Sequence, residues 1–192
     1  MPALLSLRFA NLTRRFGSLS VLRGVSGEVS SGRALLVTGA NGSGKSTLLR
    51  CLAALLAADA GEIEHREGGL TPLAPWERRL RVGYVSPDLA FYDELSVIEN
   101  LEFFAGLRAL PTPRAAEVLA LVDLPPERLA GALSSGMRQR LRWAWALLHR
   151  PRVLLLDEPF QNLDAAGEAT TRALLERHLD DGGLAVVASP IP

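Results

Sequence analysis

Hydrophobic residues follow two different patterns along this chain, and the pattern of each segment predicts its secondary structure. Short apolar runs without a polar face, at residues 34–37, 153–156 and 184–188, predict buried strands. Further strands are predicted at residues 4–10, 21–29, 62–65 and 81–85. Because strands of this kind need a layer of helices on each face, the pattern favours a parallel sheet.

Apolar residues spaced three and four positions apart predict the helices. Leucines between residues 48 and 56 follow this spacing, and we expect their helix to end near residues 59–61. Ser96 and Glu99 form a capping box, which predicts a helix that begins there and runs to about Arg108. The other predicted helices are residues 114–122, a long helix that begins near Ser134 and Ser135, and residues 165–179.

Strands that alternate with helices predict an α/β fold with a parallel sheet. The helices between the fifth and sixth predicted strands form a helical insertion at about residues 86–150. We expect the whole chain, residues 1–192, to be a single domain, since 48% of its residues are hydrophobic and can form a core.

Net charge, cysteine content and hydropathy narrow the class of protein. The formal net charge is zero, which argues against a nucleic-acid partner. The single cysteine, Cys51, allows no internal disulfide and is expected to be a buried apolar residue. We see neither a secretory leader nor an apolar run of membrane-spanning length, so we expect a cytoplasmic protein.

The only lysine of the chain lies in a glycine-rich segment that begins at Gly39 and has the form GxxxxGK[ST]. Such a loop turns its backbone N–H groups toward phosphate oxygens, and lysine adds a compact positive charge. Ser46 can place its hydroxyl on a magnesium ion. The predicted nucleotide-binding residues are Gly39, Ala40, Asn41, Gly42, Ser43, Gly44, Lys45, Ser46 and Thr47. The alternative is an ordinary glycine-rich turn, but the strand before it and the helix after it favour a phosphate site.

Two adjacent carboxylates, Asp157 and Glu158, directly follow the apolar run 153–156. In an open α/β sheet, ligands gather at the carboxyl ends of the strands, which is also where the glycine-rich loop lies. We therefore predict that Asp157 holds magnesium, directly or through water, and that Glu158 orients and deprotonates an attacking water. The alternative is a solvated turn before Pro159.

The segment Leu133-Ser134-Ser135-Gly136-Met137-Arg138 reads as the beginning of a helix. Free N–H groups and a serine hydroxyl at a helix N-terminus can bind an anion. Nothing in its own chain obviously requires that site, whereas the nucleotide of a second molecule could. An ordinary N-cap is the alternative.

Together these motifs resemble the nucleotide-binding subunit of an ABC transporter, over almost the whole chain. The segments resemble the Walker A loop, the Walker B strand with its glutamate, the LSGGQ motif and, at residues 161–164, the D-loop. The resemblance implies a P-loop NTPase core with a small N-terminal antiparallel β region and a helical subdomain. It also implies that Phe16 stacks on adenine, and that ATP and Mg²⁺ are bound.

The same resemblance implies two kinds of partner. A second copy of the chain would form a homodimer on ATP binding, in which Ser134, Ser135 and Gly136 of one copy contact the ATP on the other. An integral membrane transporter subunit would hold the protein at the inner face of the cell membrane and be driven by ATP hydrolysis. We expect that subunit to dock on residues 88–94.

The chain departs from the family pattern at two sensors of the γ-phosphate. Pro87 stands where the family usually has a glutamine, and Pro190 where it has a histidine. The three histidines, His65, His149 and His178, lie elsewhere and are expected at the surface or its rim. The chain also stops soon after Pro190, which suggests either a truncated copy or a simplified site.

The subfamily resemblance is to compact exporters. The sequence at residues 134–141 and 157–164 is most similar to the ATP-binding subunit of the haem exporter of cytochrome c maturation. ABC-2 drug or lipid exporters are the alternative. The alternatives from other classes are a small-molecule kinase, an ABC-type ATPase that acts on DNA or ribosomes, and a nucleotide-binding module with weak or no hydrolysis.

Overall fold

The computed structural model describes residues 5–68, 71–111 and 113–190. Leu4, where the first strand was expected to begin, and the terminal Ile191 and Pro192 lie outside them. The strands are β1 Leu5–Phe16, β2 Leu19–Ser30, β3 Ala34–Thr38, β4 Ala60–Glu67, β5 Val82–Val85, β6 Val153–Asp157 and β7 Leu184–Ser189. The helices are α1 Lys45–Leu52, α2 Pro75–Arg81, α3 Val97–Leu107, α4 Pro113–Val122, α5 Ser135–Leu147 and α6 Ala165–Asp180, with a short 3₁₀ turn at Ala130–Ala132.

The strands form two sheets, and the predicted fold class is confirmed. An antiparallel sheet has the order β2-β1-β4, and a parallel sheet has the order β3-β7-β6-β5. The chain between β5 and β6 forms α3, α4 and α5. No helix in the described part of the chain has the length and apolar character needed to cross a membrane.

Strand β6 divides the hydrophobic core into two parts. Successive side chains of a strand point to opposite faces. Leu154 and Leu156 therefore pack in one cluster with α3, α4 and α5, whereas Val153 and Leu155 pack in the other with α1 and the antiparallel sheet. Burial on both faces explains why the run has no polar position, and it fixes the strand that carries Asp157.

Strand β3 is more exposed than its apolar sequence predicts. Among the described residues β3 pairs only with β7, so it forms an edge of the parallel sheet. Leu36 on β3 is 61% exposed. The prediction that residues 34–37 form a strand is confirmed, but the expected burial is wrong because sequence alone does not give the position of a strand in a sheet.

Several boundaries also differ from the predictions, since β1, β2 and β4 are longer than the strands expected at residues 4–10, 21–29 and 62–65. Helix α1 ends at Leu52 rather than near residue 59, because Ala54 adopts a left-handed conformation with φ 56° and the chain turns back. The backbone N–H groups of Leu55 and Leu56 then donate to the Arg50 carbonyl. The strand expected at residues 81–85 begins one residue later, because Arg81 ends helix α2.

Helix α2 was missed because it has no apolar stripe. Its Trp76 and Leu80 are exposed, whereas Arg78 is buried. The local signal is Pro75 at the first helical position, followed by Glu77, whose carboxylate accepts from the backbone N–H of Ala74 at 2.8 Å.

The expected placement of the histidines at the surface is wrong for His65. It lies on β4 opposite Leu7 of β1, and only 1% of it is exposed. Neither ring nitrogen has a hydrogen-bond partner in the described residues. Burial lowers the pKa of His65 to about 4, because the charged form is costly where water cannot reach it. His149 and His178 are partly buried.

We predict that His65 makes the protein less stable in mild acid. The folded pKa lies below the unfolded value, so the unfolded chain binds a proton that the folded chain refuses. Stability is then lost as pH falls from about 6.5 toward about 4, by up to about 3 kcal/mol for this group. Urea unfolding at pH 7 and pH 5 should show a smaller loss for His65→Leu than for the wild type. Glu62→Gln, an exposed change on the same strand, is the control and should keep the wild-type pH dependence. An equal loss in His65→Leu and the wild type would contradict the assignment.

Candidate functional site

The glycine-rich loop between β3 and α1 depends on glycine at two positions. Gly42 and Gly44 have φ values of 80° and 98°, which residues with a side chain rarely adopt. A Cβ on Gly44 would also lie 2.9 Å from Val21 Cγ1 of β2. Strand β2 therefore contacts the loop closely, and this contact brings the β1–β2 hairpin beside it.

The ammonium of Lys45 lies inside this loop. Its Nζ donates to the carbonyl of Gly39 at 2.7 Å and to that of Ala40 at 3.0 Å. Lys45 is only 7% exposed, and it forms no ion pair within the described residues. A buried cation without a carboxylate partner favours binding of an anion. The loop therefore has the charge and the donors that a phosphate group requires.

Asp157 ends β6. It lies at the carboxyl ends of the parallel strands, as does the loop that follows β3. Strand β7 lies between the two, with Ala188 paired to Asp157 and Ser189 paired to Thr38. Asp157 is 2% exposed. Burial raises the pKa of its carboxyl, and a hydrogen bond with Ser46 and the charge of Arg50 oppose that rise.

The two side chains fit a magnesium ion. Mg²⁺ prefers oxygen ligands and is usually held by one or two carboxylates together with substrate phosphates and water. Ser46 and Asp157 supply such oxygens, and the Ser46 hydroxyl lies near enough to lower the pKa of the Asp157 carboxyl. No cluster of three or more metal-binding side chains occurs in residues 5–68, 71–111 and 113–190, so phosphates and water would complete the shell.

Glu158 occupies a strained backbone position directly after Asp157. Its φ is 48°, a left-handed conformation that costs about 1–2 kcal/mol for a residue with a side chain. Its N–H donates to the Ala188 carbonyl at 3.0 Å, and its carbonyl accepts from Gln161 N at 3.2 Å. This turn directs the chain out of the sheet, so that the Glu158 carboxylate follows Asp157 at the sheet edge without being part of β6.

Helix α5 holds this turn from the other side, and these contacts were not predicted. The Pro159 carbonyl accepts from Gln139 Nε2 at 3.0 Å and from Trp143 Nε1 at 2.9 Å. Gln139 is 2% exposed and Trp143 is fully buried. A glutamine on the buried face of an amphipathic helix was the available signal, since buried polar groups need partners.

The N-terminus of α5 presents Ser134 and Ser135 to solvent. The Ser134 hydroxyl caps the helix by accepting from Met137 N at 3.2 Å. A Cβ on Gly136 would lie 2.7 Å from the Asn162 carbonyl, so glycine allows this helix end to approach residues 161–164 closely. Within the described ranges, no hydrogen bond joins residues 134–136 to residues 39–47 of the same chain.

Phe16 lies at the end of β1 and is 48% exposed. The Arg14 guanidinium lies 4.9 Å from its ring centroid, and Asp59 holds Arg14 there through an ion pair of 2.7 Å. Because the hairpin that carries Phe16 contacts the glycine-rich loop, an aromatic face is available near the loop.

Arginines hold the segment after β5, which contains Pro87 at the position where a glutamine was expected from the resemblance. The Pro87 carbonyl accepts from Arg142 Nη2 at 2.7 Å. Asp88 forms an ion pair with Arg50 of helix α1, and both charges influence Asp157. At the end of β7, Ser189 Oγ donates to the carbonyl of Pro190 at 3.3 Å. The residue that follows the strand is therefore a proline and not the histidine expected from the resemblance.

The chain was compared with known protein families and with known proteins. The family model described as ABC transporter matches residues 22–161. The sulfate/thiosulfate import ATP-binding protein CysA of Methylococcus capsulatus is 40% identical over 190 residues, which cover 93% of this chain and 53% of that protein. The Fe(3+) ions import ATP-binding protein FbpC 1 of Rhodococcus jostii is 38% identical over 175 residues, covering 88% of this chain and 50% of that one. The chain spans about half the length of the curated relatives it matches.

A solved structure has the same fold. It is an ATP-binding cassette described as the dimeric structure of a post-hydrolysis state bound to ADP and Pi. The two chains superpose with a TM-score of 0.81 at 25% identity, over 95% of this chain and 87% of the other.

Proposed function

Because the chain belongs to the ABC transporter family, we propose that it binds Mg²⁺ and ATP, hydrolyses the ATP, and thereby drives a separate membrane subunit. The observation that carries this proposal is the position of Lys45. Its ammonium is buried between two loop carbonyls, with no carboxylate partner among the described residues, at the carboxyl ends of the strands where Asp157 and Glu158 emerge.

The reaction we propose is in-line attack of water on the γ-phosphate. The loop amides and Lys45 bind the β- and γ-phosphates, so that their charge is compensated before the reaction begins. Ser46 and Asp157 are the residues that would hold Mg²⁺, and the bound ion would supply charge stabilisation to the phosphates. Glu158 orients the water and accepts its proton. Phe16 stacks on the adenine.

A second copy of the chain completes the site in this proposal. The N-terminus of α5 is exposed at Ser134 and Ser135 and partly exposed at Gly136. Within the described residues, these three residues make no hydrogen bond to the glycine-rich loop of their own chain. The similar cassette was solved as a dimer with ADP and Pi. Since a helix N-terminus binds anions, this segment is suited to the γ-phosphate of the ATP on the other copy.

We propose that the membrane subunit docks at residues 88–94. Asn100 anchors this loop by donating to the Tyr92 carbonyl at 3.0 Å and accepting from Tyr92 N at 2.9 Å. The Tyr92 ring is 49% exposed and packs edge-on against Phe103 of α3, with 5.2 Å between ring centroids. An exposed tyrosine on an anchored loop, packed against a second aromatic ring, is typical of the centre of a protein interface. In this proposal the protein is thereby held at the inner face of the membrane.

We predict that Tyr92→Glu prevents assembly with the membrane subunit, because a carboxylate cannot be buried in an apolar contact without a partner. Copurification of the two subunits measures this. Leu55→Glu, which changes an apolar residue that is 57% exposed elsewhere, should leave assembly intact. A complex that survives replacement of residues 88–94 by glycine and serine would contradict the docking site.

The sequence motifs and the named relatives point to different cargoes. The resemblance of residues 134–141 and 157–164 to haem-exporter subunits supports haem export. The relatives reported above, however, are named as sulfate/thiosulfate and Fe(3+) import proteins. These names favour import over the exporter assignment. The identity of the membrane subunit decides between import and export. Copurification would isolate that subunit, and sequencing the reading frames beside its gene would show its genetic context. Cytochrome c maturation genes beside it would support haem export.

Single-turnover hydrolysis tests the proposed activity directly. With protein in excess over radiolabelled ATP, we expect phosphate release that requires Mg²⁺ and stops on addition of EDTA. Because Pro87 and Pro190 replace two γ-phosphate sensors, the alternative is a module that binds ATP without hydrolysing it. Tight ATP binding with no phosphate above the protein-free rate would favour that alternative.

A further inference from the structure

A cavity of about 740 Å³ lies at the amino ends of the parallel strands, whereas the proposed nucleotide site lies at their carboxyl ends. Its walls include Arg150–Arg152, which precede β6, and Gly183, which precedes β7. Helix α4 forms one side and helix α6 another. The cavity is therefore separated from Lys45 and Asp157 by the length of the strands, and nothing in the proposed hydrolysis uses it.

The charged lining of this cavity has an excess of arginine. Four arginines and two acids, Glu117 and Asp181, face it. Glu117 is shared, because both Arg114 and Arg150 pair with it, at 2.7 and 3.2 Å. Asp181 lies 3.8 Å from Arg177. Burial lowers the pKa of His178, which disfavours its charged form.

Two of these arginines can turn toward a ligand. The side chains of Arg150 and Arg177 are 74% and 73% exposed, so their present ion pairs are screened by water and weak. Arg114 is fixed, because it donates to the carbonyls of Leu147 and Leu148 as well as to Glu117. Arg150 lies in the loop before β6 and Arg177 lies on α6, and each guanidinium can pair with a carboxylate or phosphate through charge-assisted hydrogen bonds.

The rest of the lining is apolar. The surface between the arginines is formed by Leu121 of α4, Leu147 of α5, Leu174 of α6, and Pro151 in the loop before β6. The volume is in the range of small-molecule sites, which combine an apolar wall with a few polar groups that fix orientation. Inorganic anions would leave this wall exposed to water.

We propose that the cavity binds a small amphipathic anion, a carboxylate with a short apolar tail, whose charge lies between Arg150 and Arg177 and whose tail covers Leu121, Leu147 and Leu174. This inference does not depend on ATP hydrolysis. A ligand bound in this way would connect α4, within the helical insertion, to α6 of the sheet core.

Titration calorimetry with sodium octanoate on the full chain tests the proposal. We expect saturable binding at one site per chain with a dissociation constant below about 1 mM. Acetate carries the same charge without the tail and should bind at least about tenfold more weakly, because apolar contact is lost. The double variant Arg150→Gln with Arg177→Gln should also lose about tenfold or more. Arg8→Gln, an exposed arginine on β1, is the matched control and should bind octanoate like the wild type.

A second variant addresses the apolar wall. Leu121→Glu places a negative charge beside the proposed tail and should abolish octanoate binding, while circular dichroism checks that the variant is folded. Unchanged octanoate affinity in the folded double variant would overturn the proposal. Equal affinity for acetate and octanoate, or no saturable binding by the wild type, would overturn it as well.

Discussion

The variant Glu158→Gln is expected to bind ATP as tightly as the wild type and to hydrolyse it about a thousandfold more slowly, the effect typical of removing a general base. The change keeps the size and shape of the side chain but removes its ability to accept a proton. Glu158 is held at a left-handed φ of 48° by hydrogen bonds of its own backbone N–H and carbonyl. Since those bonds are not altered, the position of the side chain should be preserved.

A slower reaction should also trap the dimer. If two copies enclose ATP between the phosphate loop of one and residues 134–136 of the other, the variant stays in that state because the γ-phosphate is not released. Size-exclusion chromatography with light scattering should show a dimer with Mg²⁺ and ATP, and a monomer with ADP. Glu176→Gln, an exposed change on α6, is the control and should hydrolyse ATP normally. Full hydrolysis by Glu158→Gln would remove the proposed role of Glu158.

The contacts of helix α5 give this prediction a structural reason. Gln139 and Trp143 bind the Pro159 carbonyl, one residue beyond Glu158, and Arg142 binds the Pro87 carbonyl. The same helix begins at Ser134, which is proposed to contact the second ATP. One rigid element therefore connects three parts of the site, so an ATP contact at its N-terminus could influence Glu158 and the segment after β5.

The features that could be predicted from the sequence are those determined by local chemistry. The capping box of Ser96 and Glu99 forms as expected, because its two hydrogen bonds lie within four residues. Cys51 is buried as expected, since its helical spacing places it on the core side of α1. The position of Asp157 at the end of a strand follows from the apolar run before it, which predicts β6.

The features that could not be predicted depend on the arrangement of distant segments. Leu36 is exposed because β3 is an edge strand among the described residues, and no local pattern gives the strand order. His65 is buried because β4 pairs with β1, although histidine on a charged strand usually faces water. The arginines that hold Pro87 and Asp88 belong to α5 and α1, far away in sequence.

Lys45→Ala is expected to weaken ATP binding by about tenfold to a hundredfold, because a hydrogen bond to a charged group contributes about 1.5–3 kcal/mol. The effect should be at the larger end of this range here. If Pro87 and Pro190 stand in place of two γ-phosphate sensors, as proposed above, Lys45 would make a greater share of the contacts to that group. Equilibrium binding of a fluorescent ATP analogue measures the change, and Arg33→Ala, an exposed arginine before β3, is the control.

Lys45→Arg separates the charge of this residue from its shape. The lysine Nζ fits between the Gly39 and Ala40 carbonyls at 2.7 and 3.0 Å in a position that is only 7% exposed. A planar guanidinium is larger and cannot occupy that space without moving the loop. We therefore expect Lys45→Arg to bind ATP nearly as weakly as Lys45→Ala. Wild-type affinity in Lys45→Arg would show that charge alone is sufficient, and wild-type affinity in Lys45→Ala would remove the phosphate site from this loop.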